Sequence, residues 1–312
     1  MGCGVGRVNA HIAPIFPTVR VLIRGGGDLA SGVAYRLVRA GLPVVITEIA
    51  MPTAVRTTVS YGMAAIYETV IIGGIVARKT DPADLDAIAA RLAEGVIPVL
   101  IDPEAACLPH LQPAVVVDAR VAKTALDTRI EQAPLVIGLG PGFTAGVHCH
   151  AVIETNRGHH LGRVLWRGSA EPDTGLPAGV NGREAERVLR APCDGEVEQV
   201  AVIGRVVQAG ELLARVGGQP VYAPFRGLVR GLIDDGVYVQ QGLKIGDIDP
   251  RTVRENCFTI SDKSLAIGGG VLEAVFSAPV IRRLLGRASG HHLSEVSEAT
   301  RTMRETHGGQ GS

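Results

Sequence analysis

TVRVLIRGGGDLASGVAYRLVRAGLPVVITE, residues 18–48, decides the fold. TVRVLIR (18–24) is a short β-branched run that reads as a buried strand. Three glycines follow it. From Asp28 to Ala40, the spacing of Leu29, Val33, Leu37 and Ala40 puts apolar side chains on one helical face, with Gly41 as the expected C-cap. PVVITEI (43–49) is a second strand. Strand, glycine loop, helix and strand in that order open a parallel α/β fold. Gly25-Gly26-Gly27-Asp28-Leu29-Ala30 fits G-x-G-x-x-A in the context a dinucleotide fingerprint requires. Glycines let the backbone approach a pyrophosphate, and amides at a helix start attract anions. Gly25, Gly27 and Ala30 are therefore the expected phosphate contacts. Glu48, ending the second strand, is placed to accept from ribose hydroxyls. A tight turn with no ligand is the competing reading. Asp28 lies inside the loop and would repel a phosphate unless it turns away or caps the helix.

Outward from this unit, Asp81-Pro82 reads as N-cap and N1 of a helix running through Glu94 and closed by Gly95. IPVLID (97–102), AVVVD (114–118) and PLVIGLG (134–140) are further buried-strand candidates, which implies a mainly parallel sheet. Residues 155–190 turn polar and Gly/Pro-rich, with a short helix expected from Arg183 to Leu189. A repeat follows. Pro192, Gly195, Val197, Val207, Gly210, Leu213 and Val216 recur 32 residues later as Pro224, Gly227, Val229, Val239, Gly242, Ile245 and Ile248, and Gly204 recurs as Gly236. Such halves are short strands punctuated by glycine turns, each covering the apolar face its partner cannot bury alone. Residues 191–248 resemble the lipoyl/biotinyl-like barrel-sandwich hybrid fold. Carriers of that type place an acceptor lysine at the hairpin joining the halves. Here that hairpin is Gly217-Gly218-Gln219-Pro220 and Lys244 lies in the wrong half, so a docking or structural element is expected instead of a swinging arm.

The expected organisation is a disordered leader (1–17), a Rossmann-like nucleotide-binding α/β domain (18–180) and an inserted all-β barrel-sandwich module (190–249). A return segment (250–287) would pack on the first domain, because a single apolar helix does not fold alone, and a disordered tail (288–312) would close the chain. The chain has 312 residues, 46% of them hydrophobic and 20% charged, enough to bury a substantial core. Lys+Arg and Asp+Glu are 31 each, so no net field draws in nucleic acid or an anionic membrane. Five cysteines without a CxxC pair suit reduced thiols in a cytoplasm. The first residues lack an apolar run of signal length, and the apolar stretch Ala266 to Pro279 is too short to span a bilayer, so a soluble protein is expected.

Gly138-Leu139-Gly140-Pro141-Gly142-Phe143-Thr144 follows a buried strand and is a candidate second wall of the crevice, through Gly138, Gly140, Gly142 and Thr144; a Pro/Gly turn explains the same residues. Gly268-Gly269-Gly270 reads as a third loop in which Lys263 meets an anion, or as glycines demanded by close helix packing. Lys123 and Arg56 are loop cations able to contact an anion or face solvent. His148 and His150 would share one face of a strand and are the residues a metal would take, but no second cluster at ligand spacing supports them, and no metal is expected. Cys149 and Cys257 have no activating base visible in the sequence.

GGGDLASG (25–32), ITEIAMPTAVRTTV (46–59), VIGLGPGFTAG (136–146), HAVIETNRGHHLGRV (150–164) and SDKSLAIGGGVLEAV (261–275) resemble YqeB-like selenium-dependent molybdenum hydroxylase system proteins. The resemblance runs from about residue 18 to residue 285 in family order. The family's first loop more often reads GAGDLATG, so Gly26 and Ser31 depart from it while keeping the glycine geometry. What the resemblance implies is a bacterial accessory or maturation factor for a molybdenum hydroxylase carrying labile selenium, linked to the molybdopterin cofactor, with the hydroxylase as client protein. It brings no chemical step, and whether the chain is an enzyme stays open. In this reading a nucleotide or dinucleotide, NAD(P) or similar, binds between the first two glycine loops. An NAD(P)-dependent oxidoreductase acting on a small substrate is the alternative, with Glu48 favouring NAD. A non-catalytic scaffold is the third reading, and the oligomeric state is open.

Overall fold

The computed structural model describes residues 12–122, 127–172 and 185–286. β1 (Val21–Arg24) is buried at every position and leads through the glycines into α1 (Asp28–Arg39) and β2 (Val44–Glu48). Two 3-10 turns, Thr57–Val59 and Tyr61–Met63, lead into the single-turn α2 (Ala64–Tyr67). Then come the hairpin β3 (Thr69–Ile72) and β4 (Ile75–Thr80), α3 (Leu85–Ala93) and β5 (Ile97–Ile101). α4 (Leu108–Leu111), β6 (Val115–Asp118) and β7 (Leu135–Leu139) follow. β8 (Thr144–Ala145), β9 (Ala151–Ile153), β10 (Val164–Leu165) and β11 (Gly168–Ser169) complete the α/β part. Nine strands form one sheet in the order β10-β9-β7-β6-β1-β2-β5-β4-β3, parallel except at its two edges. After β1 the chain builds to one side, and β6 returns to the other. The connections after β1 and β6 therefore lead to opposite sides of the sheet, and such a switch point is where open α/β sheets form a ligand crevice.

The antiparallel part reproduces the sequence repeat strand by strand. Its strands are β12 (Val188–Arg190), β13 (Gly195–Gln199), β14 (Val206–Val207), β15 (Leu212–Val216), β16 (Gln219–Tyr222), β17 (Gly227–Leu232), β18 (Tyr238–Val239) and β19 (Lys244–Asp249). The 32-residue offset carries β13 onto β17, β14 onto β18 and β15 onto β19. Two four-stranded sheets result, β12-β19-β17-β14 and β16-β15-β13-β18, so each half lends one short strand to the other half's sheet. Val197, Val207, Leu213, Val216, Val229, Val239, Ile245 and Ile248 share one core. All eight are the repeat's own apolar positions. The protein is thus α/β, with a large mainly parallel sheet and additional antiparallel sheets.

α5 (Asp262–Ser277) returns to the first sheet, followed by α6 (Pro279–Gly286). Ile267, Val271, Ala274 and Val275 of α5 and Ile281 of α6 join the core that β1, β2 and α1 build. Each of these Ile and Val side chains contributes roughly 1.5–3 kcal/mol of burial, and the Ala274 methyl about 0.8 kcal/mol. α1 and α5 touch through glycine: a Cβ on Gly32 would lie 2.3 Å from the Ser264 carbonyl oxygen, and one on Gly268 would lie 2.5 Å from that of Gly32. Gly268, Gly269 and Gly270 are therefore not a loop. They lie inside α5, where the first and last bring backbones together.

Other expectations change too. The third helix is capped by Asp84, whose side chain accepts from the Ala87 amide, while Asp81 accepts from Ala83 in the preceding turn; Gly95 does end the helix region, at φ +72°. In place of the helix expected to Leu189, a 3-10 turn at Ala185–Arg187 enters β12, whose Leu189 is drawn into the antiparallel core; Arg183 lies outside the described residues. Residues 12–17 are not a loose leader. The Ile15 and Phe16 amides donate to the Gly41 carbonyl, and Phe16 packs edge-on against Phe276. The leader's residues 1–11 and the tail lie outside the described residues. Among the described residues no single helix is long and apolar enough to cross a membrane. The bent pair α5–α6, which together has that length and composition, is packed against the sheet.

Candidate functional site

The first glycine loop sits at the switch point. Gly25 takes φ +86° and faces the Arg120 backbone and Cγ, so the segment after β6 lies directly against it. Gly26 donates to Glu48 Oε2 at 2.7 Å and accepts from the Gly62 amide at 2.9 Å; a Cβ there would be 2.4 Å from Gly62 Cα. Gly27 is the N-cap of α1 with ordinary φ −66°, and space around its missing side chain is open. The amides of Gly27, Asp28, Leu29 and Ala30 donate to no group among the described residues, because Gly27 has no side chain to cap them. Four unpaired amides with a helix behind them are a place for anionic oxygen.

Glu48 does not face outward to a ribose. Its Oε1 accepts from the Ile49 amide at 2.8 Å and its Oε2 from Gly26, so the acid closes the loop on itself. Burial raises its pKa despite these two hydrogen bonds. Residues 57–63 are pinned over the same place by Ser31, whose Oγ donates to the Gly27 carbonyl and accepts from the Tyr61 amide.

Asp28 does turn away from the role of cap. It makes no capping hydrogen bond, and its Oδ2 lies 3.8 Å from Nη1 of Arg56. Arg56 is 8% exposed; its Nη2 donates to the carbonyls of Asn256 and Thr259. Arg230 on β17 approaches Arg56 closely enough that, after burial itself, its charge lowers the Arg56 pKa most. Lys263, in the first turn of α5, has its pKa lowered by burial and by Arg157 and Lys244, and raised by Asp28 and Glu154. The α5 N-terminus is closed to an anion: Ser261 accepts from the Ser264 amide, and Asp262 accepts from Lys263. α1, not α5, offers open amides.

A second charged group lies on the other side of the loop. Arg24, fully buried at the end of β1, donates to Asp127 at 2.7 Å, to Thr128 and to the Pro103 carbonyl. Arg120 grips Asp118 and Asp127. Asp127 feels burial, which raises its pKa, but the hydrogen bonds from Arg24 and Arg120 bring it down to about 2.

The second glycine loop is used mainly for packing. Gly138 is inside β7, where a Cβ would strike Phe143, and Gly140 at φ +85° is filled in by Thr155 and Val121. Gly142 lies in the turn after it, and Thr144 shares a hydrogen bond with Ser169. Arg120 and Val121 stand between this loop and the first. Lys123 lies outside the described residues. His148 and His150 each accept a backbone N–H at Nδ1, from Thr144 and Val136. That fixes both rings on the backbone, His148 within its own turn and His150 across to β7. Among the described residues no group of three or more His, Cys, Asp or Glu is arranged to hold a metal ion. Cys149 is buried, with its pKa pushed up to about 11 by that burial. A cavity of about 800 Å³ lies at the opposite, N-terminal end of strands β1, β6 and β7, against Leu108, Pro109, Glu131 and Leu284, away from these groups.

Fold and site together describe an α/β protein with an anion-suited loop at the switch point of its parallel sheet. Over 256 residues the chain is 48% identical to "Uncharacterized protein YqeB" of Escherichia coli (strain K12), covering 82% of this chain and 47% of that protein. This identity supports a YqeB-like family for the chain, which spans about half the length of that curated relative. No family model matches. Solved structures with partial likeness include an aspartoacylase family protein from Mesorhizobium loti, at 10% identity and TM-score 0.23 over 76% of this chain and 84% of that one. A succinylglutamate desuccinylase/aspartoacylase from Rhodobacter sphaeroides has 16% identity and TM-score 0.25, over 74% and 85% respectively. At such scores neither carries an argument about this chain.

Proposed function

We propose that the chain is an accessory factor for maturation of a selenium-dependent molybdenum hydroxylase, and that it binds the phosphoryl part of a nucleotide-type cofactor at the start of α1. The observation that carries the binding claim is the run of four unpaired amides, Gly27 to Ala30, opened by an N-cap with no side chain at the sheet's switch point. The pathway rests on the motif resemblance. The first unit is read as Rossmann-like. The antiparallel unit is read as a barrel-sandwich hybrid without an acceptor lysine, since Gly217 and Gly218 form the β15–β16 hairpin. Its role in this reading is to dock the client or close over the ligand.

The oxidoreductase alternative loses support from Glu48. An ordinary NAD pose needs that carboxylate for the ribose, but it is spent on Gly26 and Ile49. The test pairs biochemistry with genetics. Denaturing the purified protein is expected to release a nucleotide or molybdopterin detectable by absorbance and mass spectrometry. Deleting its gene is expected to leave the client hydroxylase present but inactive. Unchanged hydroxylase activity overturns the accessory role, and saturable NADH oxidation by the chain alone favours the oxidoreductase.

A further inference from the structure

Arg56 holds two carbonyls through Nη2, yet its Nε and Nη1 are buried without a hydrogen-bond partner. Its closest carboxylate, on Asp28 at the first residue of α1, is 3.8 Å from Nη1, beyond hydrogen-bond reach. Arg230 has a smaller deficit. Its Nε is buried without a hydrogen-bond partner and lies 3.9 Å from Asp249, and its Nη1 lies 3.6 Å from Asp247. Those two carboxylates are already taken: Asp247 is forked by Arg187, and Asp249 by Arg251. Cys257, between these groups, keeps its thiol on the Val229 carbonyl and brings no counter-charge, since burial raises its pKa. Two guanidiniums lie in each other's field, Arg56 with two vacant donor nitrogens and Arg230 with one, and Arg56 stands beside a helix start that is short of acceptors too.

We propose that Arg56 and Arg230 form a two-guanidinium clamp for a tetrahedral phosphoryl-type oxyanion at the N-terminus of α1. An oxyanion supplies the several lone pairs that the vacant guanidinium donors and the amides of Gly27 to Ala30 lack. Its charge also relieves the repulsion between the two arginines. Lys263, half-buried beside Asp28, adds a third cation. The inference rests on the phosphoryl reading above and extends it. Arg56 comes from the segment after β2 and Arg230 from β17, so the ligand bridges the parallel-sheet unit and the antiparallel unit. The ligand then adds to contacts that already join the two units, Val55 against Gly231 among them.

The test measures thermal shift and calorimetric affinity of the whole chain for inorganic phosphate, pyrophosphate and ATP, at matched ionic strength. Wild type is expected to bind pyrophosphate. Arg230→Gln, which gives up no hydrogen bond within the protein, is expected to raise its Kd about tenfold or more. Asp28→Asn removes a competing carboxylate and is expected to lower the Kd about threefold; this second variant decides the matter if Arg230→Gln fails to fold. No oxyanion binding by wild type overturns the clamp, as does a Kd unchanged by Arg230→Gln or raised by Asp28→Asn. Nucleotide binding that is lost in Gly27→Val but untouched by Arg230→Gln overturns the clamp and leaves the nucleotide reading standing. Arg230-dependent phosphate binding with no affinity for ATP leaves the clamp standing for a free oxyanion and counts against the nucleotide.

Discussion

Glu48 turns its carboxylate back on the loop that precedes it, accepting the Gly26 amide at 2.7 Å. Burial outweighs this bond and the one from Ile49, so the pKa sits above the ordinary 4.5. The folded state therefore holds this proton more tightly than the unfolded chain does. Its contribution to stability is greatest below pH 4.5 and falls as pH rises through the elevated folded pKa. Glu48→Gln keeps a neutral acceptor and removes this dependence. Urea midpoints measured from pH about 4 to about 7 should show wild type losing ground to the variant as pH rises. Wild type gaining on the variant would contradict the assignment.

Gly32 and Gly269 separate two uses of glycine. Gly32→Ala places a methyl 2.3 Å from the Ser264 carbonyl oxygen, and backbone there cannot yield cheaply. The expected loss is about 1–3 kcal/mol, read from denaturant unfolding. Gly269→Ala meets nothing within 4 Å inside α5 and is expected to gain about 0.5–1 kcal/mol. Equal effects from the two would refute the α1–α5 contact.

Thiol labelling checks the cysteines. Burial lifts Cys107 to about 12 and Cys149 to about 11, and Cys257 is fully buried. Of the four described cysteines, Cys193 alone is partly exposed and should react with a thiol reagent in the native protein. The other three should label only on unfolding, as mapped by peptide mass spectrometry. Rapid native labelling of Cys149 would restore it as a candidate nucleophile.

The parts of the fold written in short-range pattern were legible. The β1–α1–β2 unit announces itself by β-branched runs and the spacing of Leu29, Val33 and Leu37. The 32-residue repeat anticipated which strands correspond, because glycine turns and alternating apolar residues are local signals. It did not reveal that β14 and β18 change sheets, since pairing partners are a tertiary choice. Asp81 and Asp84 are equally good caps by type, and only the helix's actual first turn selects Asp84. The glycines at 268–270 resemble a loop until Gly32 and Gly162 are found against them. The site was legible only in half. Gly27 and the start of α1 were visible as a motif, and Arg56 as one loop cation among several. Arg230 could not be found, because nothing local in β17 shows that it converges on Arg56. Glu48 matched its motif position but is spent on the backbone instead.

Calorimetric titration of wild type and Gly27→Val with pyrophosphate, ATP, CTP and NAD shows whether the open amides of α1 hold an anionic ligand. A Cβ at Gly27 would meet nothing within 4 Å, so a valine is accommodated there and is expected to hinder a ligand's approach to the amides of α1. At least one of these ligands is expected to bind wild type, and Gly27→Val is expected to weaken that binding about tenfold or more while still unfolding cooperatively. Equal affinity in the two proteins, or no binding of any of the four by wild type, would contradict the account.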